Sequence, residues 1–332
     1  MHNILFIILI SSILVCLPGC ENNASEPHRV GILLFGDSRL PQTNGFLDGL
    51  KSLGYQENIN TVFYIRNTKN DRNALVPFVN ELTTLGVDVL IASGGLEADA
   101  MKQAVAHKNI PVVVTYVNAI TDRKLVIDRR NPDWQITGVD NLNAELSGKR
   151  VELIHDLLPL ARRILILYYE KIAPSRLGVK YATEVADKLG ITIDARAVTS
   201  RNDIQRVMDS LKKEDVDAML TVPTAPIDNA LKTHILPIVN RLKIPLITHS
   251  RPLTEAGALA SYGANFYDLG KQAARLADKI LRGVNANKLP FETPKIYIYT
   301  LNKKTLNDLS LTLPDIAKYQ VNEYINEPAY LD

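Results

Sequence analysis

Short apolar runs rich in β-branched residues alternate with longer segments of helical periodicity from residue 28 onward. Eight of these runs predict strands, at residues 29–35, 61–66, 87–93, 110–116, 163–169, 191–198, 216–222 and 244–250. The runs are almost continuously apolar, which is typical of strands buried on both faces of a parallel sheet. Segments with helical spacing lie between them, at residues 73–85, 97–107, 175–189 and 228–242. The repeated order of strand and helix predicts a doubly wound α/β fold.

Three dipeptides recur in the same order in the two halves of the chain. They are Leu53-Gly54 and Leu189-Gly190, Val87-Asp88 and Val216-Asp217, and Ile110-Pro111 and Ile244-Pro245, at separations of 136, 129 and 134 residues. Each Leu-Gly predicts a helix end with its glycine in the left-handed conformation, and each Ile-Pro predicts the start of a strand. The similar spacing predicts two lobes of one architecture, with a cleft between them.

The first residues of the chain predict export and lipid attachment. The apolar run at residues 4–15 is shorter than the ~20 residues of a transmembrane helix and fits a secretory signal. Leu17, Gly19 and Cys20 match the lipobox of bacterial lipoproteins, although no Lys or Arg precedes the run and Pro18 is unusual there. We therefore expect a signal peptide at residues 1–19, Cys20 acylated with palmitate, and a flexible tether at residues 20–27. The protein would be anchored on a bacterial membrane, facing the periplasm or the cell exterior. The alternative is an ordinary cleaved signal that leaves Cys20 as a free thiol.

Composition excludes several classes of protein and site. Lys and Arg total 38 against 36 for Asp and Glu, and a net charge of +2 leaves no basic field for nucleic acid. The two cysteines are Cys16 and Cys20, so the predicted folded part has no disulfide, cysteine nucleophile or thiolate metal site. The sequence has no dinucleotide-binding, P-loop, nucleophile-elbow or zinc-protease motif. We therefore expect a binding protein without catalytic residues, metal or cofactor, and not an enzyme.

The predicted ligand site lies where loops leave the carboxyl ends of the strands. Glycine backbones there can approach a ligand closely, and tyrosines offer a flat apolar face with a hydroxyl. The candidate ligand-binding residues are Gly36, Asp37, Ser93, Gly94, Gly95, Tyr116, Asn118, Tyr169, Ser175, Thr224, Ser250 and Tyr262. The glycines after Ser93 have an alternative role in a tight turn with positive φ. His249 follows a strand and could meet a ligand, although a lone histidine is more often a structural residue.

Several stretches resemble the substrate-binding lipoproteins of ABC importers in the group often linked to aromatic amino acids. They include GVDVLIAS, DVDAMLTVPT and, most specifically, GALASYGANFYDLG, and the resemblance covers residues 29–314. It implies the periplasmic-binding type I fold, in which a three-strand hinge joins two Rossmann-like lobes. The implied crossings lie near residues 140–141, 262–263 and 290–294. The first lobe would then comprise residues 28–140 and 263–290, and the second residues 141–262 and 291–332.

The resemblance also implies a role and partners. We expect a monomer that captures a small molecule between its lobes and delivers it to the permease and ATPase of an ABC importer. The alternative is a ligand-sensing module for a membrane signalling receptor. Genes for a permease and an ATPase beside this one would favour the importer, and a gene for a kinase or cyclase would favour the sensor.

The cleft loops depart from the family pattern at positions where acidic residues are expected. Ala119, Ala225-Pro226 and Ser250 stand where relatives tend to carry Asp or an Asp-Asn pair. A carboxylate is the natural partner of a ligand ammonium, and burying that charge unpaired is costly. Asp37 and Glu170 are the acidic candidates left near strand ends. We therefore expect aromatic amino acids to bind weakly or not at all. A ligand with an apolar or aromatic body and hydroxyl, amide or anionic groups should be preferred.

Overall fold

The computed structural model of the protein describes residues 26–326, which fold into two α/β lobes, each with its own sheet. The strands of the first lobe are β1 (His28–Leu34), β2 (Thr61–Asn67), β3 (Val89–Ala92), β4 (Val112–Val117) and β5 (Ile136–Asp140). They are all parallel and lie in the order β2-β1-β3-β4-β5. This open parallel sheet agrees with the doubly wound fold that the sequence predicts.

The sheet of the second lobe is larger and mixed. Its strands are β6 (Arg163–Tyr168), β7 (Thr192–Ala197), β8 (Ala218–Leu220), β9 (Leu246–Thr248), β10 (Ala260–Gly263), β11 (Ile298–Asn302) and β12 (Glu323–Ile325). They lie in the order β12-β11-β10-β9-β8-β6-β7. The strand β11 runs antiparallel to β10, so this sheet departs from the all-parallel expectation at that pair.

All eight strands predicted from periodicity are present, but β5, β10, β11 and β12 were not among them. The strand β10 has the sequence ASYG, which lacks the β-branched residues that mark a strand. In β5, Gly138 has φ 158°, and a Cβ there would lie 2.4 Å from the carbonyl oxygen of Val114. The register between β4 and β5 shifts beside it. Glycine at this irregularity weakens the apolar pattern from which strands are predicted.

The helices cover both faces of the two sheets. They are α1 (Leu40–Ser52), α2 (Leu75–Thr84), α3 (Gly95–Val105), α4 (Ser147–Leu157), α5 (Ala173–Leu189), α6 (Arg201–Ser210), α7 (Ala225–Ala230), α8 (Leu236–Leu242), α9 (Arg251–Glu255), α10 (Phe266–Leu281), α11 (Lys303–Asp308) and α12 (Asp315–Gln320). The single helix predicted at 228–242 is interrupted by a π-helical turn at Leu231–Ile235. Pro237 follows in the first turn of α8 and has no N–H to donate, which favours such a change in the hydrogen-bond ladder.

The recurring dipeptides have the same structural role in both lobes. The carboxylate of Asp88 accepts a hydrogen bond of 2.7 Å from the backbone of Arg29, at the start of the neighbouring strand. Asp217 accepts 2.7 and 2.8 Å bonds from the backbones of Arg162 and Arg163 in the same way. Gly190 ends α5 in the left-handed conformation, with φ 66°. In both lobes an aspartate thus contacts the start of the neighbouring strand, and a glycine with positive φ lies at the helix end, Gly54 with φ 97° and Gly190 with φ 66°.

The helix α10 packs against α1 in the first lobe, although it follows β10 of the second sheet. Glycines allow the two helix backbones to touch. A Cβ on Gly45 would lie 1.9 Å from the carbonyl oxygen of Tyr267, and one on Gly270 would lie 1.9 Å from that of Gln42. The two helix backbones are therefore packed in direct contact, which places α10 in the first lobe. The chain must therefore cross between the lobes after β10.

Two further crossings complete the hinge. The chain leaves the first sheet for the second lobe after Asp140. It passes from the first lobe to the second again through residues 290–297, where Glu292 pairs with β5 before β11 joins the second sheet. The backbone N–H of Asp140 donates to the carbonyl of Glu292 over 2.8 Å. The buried guanidinium of Arg150 donates through Nε to the carbonyl of Tyr262 and through Nη1 to that of Asn143, both over 2.8 Å. These bonds fix the crossings relative to one another.

The predicted signal peptide and Cys20 lie outside the described residues. Within residues 26–326, no helix combines the length and apolar character needed to cross a bilayer.

The carboxyl group of Asp140 makes the hinge sensitive to pH. It is only 3% exposed, and burial, reinforced by the charge of Glu145, raises its pKa to about 7. An unfolded chain ionises Asp near pH ~4, so the folded state binds the extra proton between these two values. The stability contributed by this group is complete below pH ~4 and is lost as pH rises through about 7.

We expect Asp140→Asn to remove this dependence. From pH 4.5 to pH 8, its free energy of unfolding should rise relative to the wild type by roughly 2–4 kcal/mol. Urea unfolding at both pH values measures the difference, and exposed Glu57→Gln is the control that should show no such trend. If the free energies of unfolding of variant and wild type differ by the same amount at both pH values, Asp140 ionises normally.

Candidate functional site

A cavity of about 140 Å³ lies between the two lobes, at the carboxyl ends of the parallel strands. Both lobes contribute to its wall, which suits a ligand that is enclosed by closure of the lobes. The lining residues are Arg39, Arg72, Gly95, Leu96, Tyr116, Val117, Asn118 and Arg123 from the first lobe, and Ile172, Pro174, Pro223, Thr224, Ala225, Pro226, Asp228 and His249 from the second.

Guanidinium groups dominate the wall of the first lobe. The Nε of Arg39 donates to the Oε1 of Glu97 over 3.2 Å, and its Cζ lies 5.6 Å from the ring centre of Tyr116. Glu97 is fully buried in the first turn of α3, so Arg39 supplies the counter-charge that this carboxylate needs. Arg123 pairs with Asp99, and its Nε is buried without a partner among the described residues.

Gly94 and Gly95 make room for these two guanidinium groups. Gly94 has φ 179°, which is ordinary extended backbone, so the turn with positive φ considered from the sequence is not formed. A Cβ on Gly94 would lie 2.8 Å from the Cζ of Arg39 and 2.9 Å from the Oε2 of Glu97. A Cβ on Gly95 would lie 3.0 Å from the Cζ of Arg123. Because neither glycine has a side chain, both guanidinium groups can lie against the start of α3.

The wall of the second lobe contains a carboxylate beside an imidazole. The Nε2 of His249 lies 3.4 Å from the Oδ2 of Asp228. The side chain of His249 is 5% exposed, and Thr224 is also 5% exposed. Three polar atoms of this wall, the Oδ1 of Asp228, the Nδ1 of His249 and the Oγ1 of Thr224, are buried without a hydrogen-bond partner in residues 26–326. Buried polar atoms are normally satisfied, so a ligand or a bound water has to supply the partners that these atoms lack within the protein.

Four of the residues predicted from the sequence line this cavity, namely Gly95, Tyr116, Asn118 and Thr224. The ring of Tyr116 packs edge-on against Phe266, with the ring centres 5.0 Å apart. Burial raises the pKa of Tyr116, so its hydroxyl stays protonated near neutral pH and can donate to a ligand.

Other predicted residues are occupied within the protein. The hydroxyl of Ser93 is fully buried and lies 3.0 Å from that of Thr43 on α1. The hydroxyl of Ser175 accepts a 3.0 Å bond from the backbone of Tyr169, which organises the loop before α5. Gly94 contacts Arg39, as described above. These three residues therefore make contacts within the protein and do not line the cavity.

The remaining predicted residues lie away from the cavity. Gly36 packs against Asn70, and Asp37 is an exposed residue that pairs with Lys69 over 2.9 Å. Ser250 lines a separate pocket of about 270 Å³ beside Phe266 and Tyr267. Tyr262 stacks on Tyr297 at the hinge, with the ring centres 5.9 Å apart.

Asp228 was missed as a site residue, although the sequence carries a signal for it. It stands three residues after Ala225, the position at which relatives tend to carry Asp. In a helix, residues three apart lie on the same face, so a carboxylate moved by about one turn can still face the cavity. Asp37 and Glu170 were the acidic candidates expected from the sequence, and Asp228 is a carboxylate beyond them that lines the cavity. The other acidic candidate, Glu170, is exposed and does not line the cavity.

Comparison with known proteins agrees with this architecture. A sequence model of the family described as ABC transporter substrate binding protein matches residues 29–323. The chain belongs to this family. A tyrosine-binding protein of Clostridioides difficile (strain R20291) is 27% identical over 273 residues, which cover 80% of this chain and 76% of that protein.

Solved structures show the same fold. The chain resembles an ABC domain in complex with L-Trp from Streptococcus pneumoniae with a TM-score of 0.81 and 24% identity, over 90% of this chain and 100% of that one. It resembles the ligand-free, open structure of a substrate-binding protein with adhesive properties from Clostridium difficile with a TM-score of 0.73 and 22% identity, over 91% and 100% of the two chains.

These findings confirm the family resemblance and the periplasmic-binding type I fold. The chain is a substrate-binding protein of the ABC transporter family, which binds small ligands. The family and the structural neighbours named above are solute-binding proteins and not enzymes. Within residues 26–326, no group of three or more His, Cys, Asp or Glu residues could hold a metal ion.

Proposed function

We propose that this chain is an exported lipoprotein that captures a small solute between its lobes and delivers it to an ABC importer. Membership of the substrate-binding family supports the transport role. The apolar segment at residues 4–15 and the lipobox that ends at Cys20 support export and anchoring. The signal peptide is removed before Cys20, and the lipid on this residue keeps the receptor close to the permease.

The main support for the proposal is that both lobes line one cavity with residues that have unpartnered polar atoms. The second lobe contributes Asp228, His249 and Thr224, and the first contributes the Nε of Arg123. Donors on one wall and acceptors on the other suit a solute that carries both a positive and a negative group. An α-amino acid has this chemistry, and the tyrosine-binding relative and the L-Trp complex support the same class.

The size of the cavity favours a compact amino acid. Its volume of about 140 Å³ is below the ~300 Å³ at which sites for larger ligands begin. An aromatic side chain would require the lobes to stand further apart. In this arrangement of the lobes we therefore expect a compact amino acid to fit better than an aromatic one.

A ligand panel tests the proposed class of solute. Protein stripped of ligand by unfolding and refolding would be titrated calorimetrically with the common amino acids. Two solutes without an amine, the aromatic acid 3,4-dihydroxybenzoate and the polyol allitol, would be titrated as well. We expect a compact amino acid to bind tightest and to stabilise the fold by about 2.7 kcal/mol at 100 times its Kd. Tighter binding of tyrosine or tryptophan would overturn the size argument. Binding of dihydroxybenzoate or allitol alone would overturn the amino-acid class.

The anchor has its own test. We expect Cys20→Ser to abolish metabolic labelling with palmitate and to release the protein from membranes, because the acylated sulfur is gone. Cys16→Ser is a matched control, since the other cysteine lies inside the predicted leader and should not affect labelling. Palmitate incorporation that persists in the Cys20→Ser protein would exclude the lipoprotein assignment.

A further inference from the structure

A groove of about 420 Å³ lies in the first lobe beside β2, the edge strand of its sheet. The apolar side chains that line it are Leu47, Tyr55, Ile59, Phe63 and Ile65. Ile59 is 74% exposed and Ile65 is 43% exposed. Removing such side chains from water is favourable, so an apolar partner that covers both of them gains binding free energy.

The groove adjoins the point at which the chain enters the first lobe. The strand β1 begins at His28, which pairs with Thr61 at the start of β2. The backbone N–H of His28 donates to the carbonyl of Asn60 over 2.9 Å, and Asn60 directly follows Ile59. The ring centres of His28 and Tyr55 are 5.6 Å apart. The first residue of β1 therefore contacts the same loop that supplies the groove with Tyr55 and Ile59.

The proposed lipid anchor confines this groove to the neighbourhood of a membrane. Cys20 precedes His28 by eight residues, and a fully extended chain of that length spans at most ~29 Å. A tether this short keeps the groove at a high effective concentration relative to the lipid. A bilayer is therefore the apolar partner that the groove meets first, before a second copy of the chain.

We propose that the groove of the first lobe contacts the surface of the bilayer to which Cys20 is anchored, with Ile59 and Ile65 against the lipid. The proposal rests on the proposed function, because it requires the lipid on Cys20. The contact also orients the receptor. His28 and Thr61 begin their strands, whereas the cavity between the lobes lies at the carboxyl ends of the strands. Contact at the start of β1 is therefore made at the end of the lobe opposite the cavity.

The charges along the groove show that attraction to anionic headgroups is not the cause of this contact. Asp48 and Glu57 line the groove together with Lys51, so two acidic groups stand against one basic group. Anionic membranes attract clusters of several Lys or Arg residues. The contact must therefore come from burial of apolar surface, and it should not require anionic lipid or weaken with added salt.

A spin label at Gln56→Cys tests the contact in acylated Cys16→Ser protein on vesicles of the zwitterionic lipid DOPC. Gln56 is exposed and lines the groove. The sulfur of Cys20 carries the lipid, so the label reacts only at position 56. Oxygen concentrates in the hydrocarbon, and a nickel chelate is excluded from it. The ratio of oxygen to nickel relaxation should rise several-fold over that of the same label in Cys16→Ser/Cys20→Ser protein without vesicles.

The second lobe offers a matched control for the label. Lys213 is exposed and lines a cavity of about 410 Å³, which also includes Leu160, a residue that is 88% exposed. A label at Lys213→Cys should give the same ratio with and without vesicles, because the tether does not hold this cavity at the membrane.

Substitutions of exposed apolar residues test which side chains make the contact. Ile59→Ser combined with Ile65→Ser should return the label at Gln56→Cys to its value without vesicles. Leu160→Ser should leave the vesicle value unchanged. All three side chains are exposed, so these variants should fold like the wild type, and thermal unfolding checks this.

The outcomes distinguish this contact from the proposed function. A label at Gln56→Cys that stays accessible to nickel on acylated, vesicle-bound protein overturns the contact and leaves the proposed function intact. A change that appears only when anionic DOPG is added overturns the apolar basis of the contact. A label that is equally shielded without vesicles assigns the groove to a second copy of the chain and overturns the proposal. A lack of palmitate on Cys20 overturns both the contact and the proposed anchoring.

Discussion

The mutual arrangement of the lobes depends on the guanidinium of Arg150, which is fully buried where the chain crosses between them. It donates to the carbonyl of Tyr262 at one crossing and to the carbonyl and side-chain oxygen of Asn143 just after another. Burial among neutral acceptors lowers the pKa of Arg150 to about 9. Several charge-assisted hydrogen bonds from one rigid group therefore hold two of the three crossings together.

The main free-energy cost in the cleft comes from polar atoms of its wall that are buried away from water. In this structure the unpaired atoms of Asp228 and His249 on one side and of Arg123 on the other are already buried away from water. The paired arginines of the first lobe tolerate this because Glu97 and Asp99 accompany them. The unpaired atoms of the second lobe have no such partner within residues 26–326, and a solute that supplies donors would pair them. In the proposed capture of a solute, binding and closure of the lobes would be two aspects of one equilibrium.

The sequence predicted the scaffold better than the site, and the reason is physical. Strands buried on both faces of a parallel sheet have nearly continuous apolar sequences, and eight strands were predicted from this pattern. Strand ends correctly indicated Tyr116, Asn118 and Thr224 as residues of the cavity wall. The direction of a side chain at a strand end depends on its neighbours. The hydroxyl of Ser93, for example, points into the first lobe because it hydrogen-bonds with the hydroxyl of Thr43. Asp228 was overlooked because it lies inside a helix and not in the loop before it.

The lobes are proposed to close around the solute, and the chain offers a direct way to measure this closure. Because its cysteines are confined to positions 16 and 20, spin labels can be placed at Asn73→Cys and Lys171→Cys in protein that also carries Cys16→Ser and Cys20→Ser, without background labelling. These exposed residues adjoin Arg72 and Ile172, which line the cavity from opposite lobes. Double electron–electron resonance should give a longer, broader distance distribution in ligand-stripped protein and a shorter, narrower one with saturating ligand. The same distribution in both samples, with calorimetry showing saturation, would contradict the account.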